Sequence, residues 1–66
     1  MEITLNGERR EIRAGDSVLV LIEGLGLPRD AMVIERNGRI VERTDYGATL
    51  LAGGDVIEVV RIVGGG

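Results

Sequence analysis

Two Asn-Gly dipeptides, Asn6-Gly7 and Asn37-Gly38, constrain the fold of this chain more than any other feature, because each is flanked by short segments carrying apolar residues at strand spacing. Asparagine and glycine both tolerate the positive φ that a two-residue type I′ hairpin needs at its two central positions, so each dipeptide reads as the turn of an antiparallel pair. Before the first turn, Met1, Ile3 and Leu5 alternate with Glu2 and Thr4, the period of two of a strand with one buried face. After it, Glu8 to Arg13 carries Ile12 as its apolar member. Around the second turn, Ala31 to Arg36 leads in, and Arg39 to Glu42, with Ile40 and Val41, leads out.

Between the two hairpins the period changes. Ala14-Gly15-Asp16-Ser17 breaks the first hairpin, and Ser17 or Asp16 can accept a hydrogen bond from the free amides of a helix that begins at Val18. Val18, Leu21, Ile22 and Leu25 fall on one stripe, and Leu19 and Val20 widen it. Gly26 supplies the left-handed residue that ends a helix, Leu27 the apolar contact that follows, and Pro28 bars continuation. Gly24 inside the helix costs up to about 1 kcal/mol relative to alanine, so this helix must gain its stability by packing. Thr44 to Leu51 has no clean period and reads as a loop with a helical turn, closed by Ala52-Gly53-Gly54-Asp55. A last strand then runs from Val56 to Val63. The expected fold is α+β: a mixed sheet of four to five strands packed on one main helix, within a single domain of residues 1–63.

Composition removes most functional classes. Sixty-six residues make one compact domain, burying only about 60% of the surface the unfolded chain exposes. Cysteine is absent, which excludes a disulfide framework, a thiolate nucleophile and a cysteine-ligated metal, and points to a reducing, cytoplasmic setting. Histidine is absent too, and all eight basic residues are arginine, so most side chains used in acid–base and nucleophilic catalysis are missing. Glu2, Glu8, Glu11, Asp30, Glu35, Glu42 and Glu58 are spread along the chain rather than paired, as for a solvated surface. A net charge of −3 and a single aromatic, Tyr46, leave neither a basic stripe nor stacking platforms for nucleic acid. The longest apolar run, Val18 to Ile22, falls far short of the roughly 18 residues of a membrane span. The chain is expected to be no enzyme in itself, to hold no metal or cofactor, and to engage neither nucleic acid nor membrane.

On the last strand Ile57, Val59 and Arg61 share one face while Val56, Glu58, Val60 and Ile62 share the other. One face must cover the helix, so Val60 and Ile62, with Val63 beside them, are expected to form a partner-binding surface. Gly64, Gly65 and Gly66 follow that strand directly, in a chain that opens on methionine, and are expected to be a flexible working tail rather than a frayed end. Glycines lack Cβ atoms and can thread a narrow channel; Val63 to Gly66 extended reaches roughly 13 Å.

This order of elements, ending in a strand that runs into glycines, resembles the ubiquitin-like β-grasp sulfur carriers, and among them the ThiS-type carriers of thiamine (thiazole) biosynthesis. The likeness spans the whole chain and rests on Leu5-Asn6-Gly7, Gly15-Asp16-Ser17-Val18, Leu25-Gly26-Leu27, Glu35-Arg36-Asn37-Gly38 before Ile40-Val41, Gly54-Asp55 and the glycine end. The resemblance implies that the carboxylate of Gly66 is the reacting group, with Gly64 and Gly65 threading it into the partners. A ThiF-type adenylyltransferase would use ATP to form an acyl-adenylate, sulfur from a donor such as a cysteine desulfurase would replace AMP, and a ThiG-type thiazole synthase would take the sulfur. A carrier for another product, molybdopterin or cysteine, would share this terminal chemistry. A β-grasp binding module with an inert tail would share only the fold.

Overall fold

A computed structural model describes residues 1–26 and 32–62; Leu27, Pro28 and Ala31, and Val63 with the three terminal glycines, lie outside the described residues. The strands are β1 (Glu2–Leu5), β2 (Glu8–Glu11), β3 (Met32–Arg36), β4 (Arg39–Val41) and β5 (Val56–Arg61), with one helix, α1 (Val18–Leu25), and a 3-10 turn at Arg43–Asp45. They form a single mixed sheet in the order β2-β1-β5-β3-β4. β1 and β5 run parallel and the other pairings are antiparallel.

Both Asn-Gly turns take the conformation their chemistry favours, with φ of 49° and 83° at Asn6 and Gly7 and 51° and 83° at Asn37 and Gly38. The first hairpin ends two residues earlier than the expected Glu8 to Arg13: Ile12 lies just past β2, yet it is buried, and its N–H donates to the Met1 carbonyl. Of the apolar pair on β4, only Val41 packs against the core, because the pleat turns Ile40 to the opposite face.

The helix is capped by Ser17, whose Oγ accepts from the Val20 N–H at 3.2 Å, while the Asp16 carboxylate turns back to the Arg13 N–H. Its C-terminus closes on Gly26 at φ 69°, as expected of a left-handed cap. The irregular segment after β4 explains itself here. The Tyr46 and Thr49 carbonyls accept from the Leu19 and Val18 amides, and Leu51 donates to the Asp16 carbonyl. Backbone from residues 46–51 thus satisfies amides that the first helical turn would leave bare, which is why that segment has no hydrophobic period of its own.

Val18, Leu21 and Ile22 of α1 pack with Ile3, Leu5, Met32, Ile34 and Ile57 of the sheet. Tyr46 and Leu51 close the cluster from the connecting segment. Val18, Ile34 and Ile57 are completely inaccessible to solvent, so the centre of the core is where β3 and β5 meet the start of the helix. Among the described residues no helix is long and apolar enough to cross a membrane.

Candidate functional site

β5 is the strand that leads to the glycines, and three devices hold it. On one side the Asn6 N–H donates to the Ile57 carbonyl, and the Asn6 side-chain oxygen accepts from the Val59 N–H at 2.8 Å. On the other side the Asn37 N–H donates to the Val56 carbonyl, and its side-chain oxygen accepts from the Val56 N–H at 2.8 Å. The two hairpin turns therefore do more than reverse the chain, since their asparagines grip the central strand from opposite sides.

The third device is Asp55, the residue before β5. The residue is 6% exposed, and its carboxylate accepts from Arg36 Nε at 2.8 Å, the Ala52 N–H at 2.8 Å and Asn37 Nδ2 at 3.0 Å. Burial pushes the Asp55 pKa up, but the hydrogen bonds from Ala52, Asn37 and Arg36, with the charge of Arg36, outweigh it and hold the carboxyl below its ordinary value. The group is a structural anion that ties the β3–β4 turn to the root of β5, and every donor it meets is already in place.

The alternation along β5 falls as the sequence indicates. Ile57 and Val59 face the helix, Ile57 fully buried and Val59 half-buried. Val60 and Ile62 are 50% and 54% exposed. Val60 lies directly across from half-buried Val33, and Ile40, 65% exposed, lies across from Glu35 on the same face. The open face at the end of the sheet thus carries Val33, Ile40, Val60 and Ile62, rimmed by Glu35 and Glu58, which oppose each other in register. A cleft of about 160 Å³ beside it has a mixed lining that includes the apolar Val33, Ile40, Val41 and Ile62 and the charged Glu42 and Arg43.

The structure therefore brings Val60 and Ile62 together and adds Val33 and Ile40, which the sequence reading did not place in the patch. The signal for them was present: a return strand in which Ile40 and Val41 are adjacent must turn one of them outward. Val63, Gly64, Gly65 and Gly66 fall outside the described residues. Tyr46, the one aromatic, is 3% exposed and belongs to the core.

The model of the ThiS family matches residues 3–66, from the first strand through the last glycine. The chain belongs to the ThiS family. ThiS from Geobacter metallireducens has the same fold in its crystal structure, with a TM-score of 0.85, 29% identity and complete coverage of both chains. The solution structure of that thiamine biosynthesis protein matches with a TM-score of 0.77 over all of this chain and 88% of its own. The α+β, ubiquitin-like β-grasp architecture expected from the sequence is the architecture found. Two curated relatives are thiazole synthases: that of Magnetococcus marinus is 44% identical and that of Paramagnetospirillum magneticum 35% identical, each over all 66 residues. The chain spans about a fifth of the length of these relatives, 20% in both cases.

Proposed function

We propose that this chain is the sulfur carrier for thiazole formation in thiamine biosynthesis, with the carboxyl group of Gly66 as the carrying atom set. The observation that supports it most directly is the family match running through residue 66, so that the glycines belong to the matched pattern together with the fold that holds them. Thiazole as the product, rather than molybdopterin or cysteine, is favoured by the two thiazole synthases among the relatives.

A terminal carboxyl group has a pKa of about 3.3–3.7, so at neutral pH it is a resonance-stabilised anion that resists attack by sulfur. Transfer of AMP from ATP makes it a mixed anhydride and releases pyrophosphate; the terminal sulfur of a donor persulfide then adds to the activated carbonyl and expels AMP, and a second thiol, acting as reductant, cleaves the resulting acyl disulfide to leave the thiocarboxylate and a disulfide. The carboxylate must first approach an anionic phosphate, and the cations that offset this repulsion belong to the adenylating enzyme, a ThiF-type partner. A donor such as a cysteine desulfurase supplies the sulfur, and a ThiG-type synthase receives it. The carrier contributes docking and reach. Val60 and Ile62, with Val63 and the neighbouring Val33 and Ile40, form the surface on which the enzymes dock, and Gly64 and Gly65 pass Gly66 into their active sites. It acts as a co-substrate and catalyses no step.

The test is incubation with the adenylating enzyme, ATP and a sulfur donor, followed by mass spectrometry of the whole chain and its C-terminal fragment. One oxygen of Gly66 should be replaced by sulfur. Oxidation of a methionine has the same nominal mass, and Met1, 44% exposed, is the vulnerable one, so the change must be placed by fragmentation. An unmodified C-terminal fragment from a competent system would refute the assignment.

A further inference from the structure

β5 outruns the strand beside it. β1 pairs with β5 only through Thr4 opposite Val56 and Leu5 opposite Ile57, after which the chain turns away at Asn6-Gly7. The Asn6 side chain takes one more β5 donor, the Val59 N–H, and there the pairing on that side stops. Backbone polarity alternates along a strand: the Val56 N–H and carbonyl face Asn37 and β3, while the Ile57 carbonyl and Val59 N–H face β1. It follows that the Val59 carbonyl and the N–H and carbonyl of Arg61 point into the space beyond the first hairpin turn, where among the described residues no backbone group meets them.

We propose that this free edge of β5, from the Val59 carbonyl to Arg61, takes up an extended segment of the thiazole synthase as an added strand lying in line with β1. The proposal rests on the reading that a thiazole synthase receives the sulfur. An extended backbone is the occupant that offers donors and acceptors at the spacing of a strand edge, in the plane of the sheet. The other edges are less suited: β2 has the sequence Glu-Arg-Arg-Glu, the kind of charged edge that discourages addition, and β4 is three residues long. The β5 gap also lies two residues before Val63, so a strand paired at Arg61 brings its protein within the roughly 13 Å that Val63 to Gly66 can span. In the curated relatives the matching region makes up a fifth of a thiazole synthase. Carrier and synthase there share one chain, and a contact of a few hydrogen bonds suffices at the effective concentration a shared chain provides.

Amide exchange of the ¹⁵N-labelled full chain, alone and saturated with the synthase, tests this directly. The Arg61 N–H should exchange at least tenfold more slowly in the complex. A second form of the full 66-residue chain, assembled chemically with an ester in place of the Val60–Arg61 amide, loses that donor and weakens only the Val60 carbonyl facing β3, which a thermal melt beside it checks; it should bind about tenfold more weakly by titration calorimetry. Arg61→Ala, which keeps the backbone, should bind within threefold of the unaltered chain. Unchanged exchange at Arg61 in a formed complex overturns the edge while leaving the carrier reading standing, and so does an unchanged affinity of the ester. Loss of binding in Arg61→Ala equal to that of the ester assigns the contact to the side chain and overturns it too. Protection of Arg61 that appears on concentrating the free chain would assign the edge to a second copy and count against it. Failure of the unaltered chain to bind the synthase at all removes both this proposal and the reading beneath it.

Discussion

Replacing Asp55 by alanine should bring this protein close to unfolding without touching its chemistry. The carboxylate is buried and accepts three hydrogen bonds, and its partners differ in what they can recover. Arg36 is 32% exposed and can regain water, so its ion pair with Asp55 contributes on the order of 1 kcal/mol. Asn37 is exposed and recovers as well, at a loss of about half a kcal/mol. The Ala52 N–H loses a charged acceptor in a part-buried place, which costs about 1–2 kcal/mol. The sum is about 3 kcal/mol, most of what a core of this size supplies. At a urea slope of about 1 kcal/mol per molar the midpoint should fall by about 3 M, followed by circular dichroism. Asp55→Asn should lose somewhat less, and it isolates the pH term. The folded pKa of Asp55 lies below its unfolded value of about 3.9, so its contribution is complete above that pH and is lost as pH falls through the lower folded value. The wild type should therefore weaken on acidification below about pH 4 more steeply than Asp55→Asn. Asp55 stands at the opposite end of β5 from Arg61, about 20 Å away at strand rise, so the folded fraction of each variant should still be adenylated normally. A loss under about 1 kcal/mol in Asp55→Ala, or identical acid limbs for the wild type and Asp55→Asn, would refute the account of the clip.

Val60→Asp and Ile62→Asp should weaken binding to the adenylating enzyme and to the synthase by two orders of magnitude or more, because an unpaired carboxylate buried in an apolar contact costs several kcal/mol; calorimetric titration beside a thermal melt checks that the half-exposed sites themselves tolerate the change. Gly65→Ala should abolish adenylation with an unchanged melting curve, since one Cβ restricts φ and adds bulk in the tail; a near wild-type rate of pyrophosphate release would refute the threading role.

The parts of the fold legible in the sequence are those set by neighbours along the chain. The turns at Asn6-Gly7 and Asn37-Gly38, the Ser17 cap, the Gly26 stop and the two faces of β5 each follow from a backbone preference or a period within a few residues. What stayed hidden depends on residues far apart. Asp55 reads as an ordinary turn residue after two glycines; its role appears only when Arg36, 19 positions away, is folded beside it. The bond from Val59 to the Asn6 side chain joins residues 53 positions apart, and nothing in an Asn-Gly turn announces it. Residues 46–51 look shapeless because much of their work is done by backbone groups, the Tyr46 and Thr49 carbonyls and the Leu51 N–H, which every residue type carries equally, while Tyr46 and Leu51 enter the core at no regular period. The patch was half legible for the same reason: alternation assigns Val60 and Ile62 to the open face, while the arrival of Val33 and Ile40 beside them requires the strand order.

The proposed cycle sets two demands that the sheet meets at different ends of one strand. An acyl-adenylate has to form in one protein and the thiocarboxylate has to be spent in another, so the same few residues must be read twice by unrelated surfaces. Two enzymes that both receive the same tail compete for the surface at its root, so each must release before the next engages. Release is only productive if the strand returns to the same geometry every time, which is what two asparagines and a buried carboxylate at its base provide. The bonds that hold Val56 and the Arg61 edge, unmet among the described residues, are then two sides of one arrangement: the body holds the root of β5, and under the proposal above its last residues keep hydrogen-bonding capacity for the synthase.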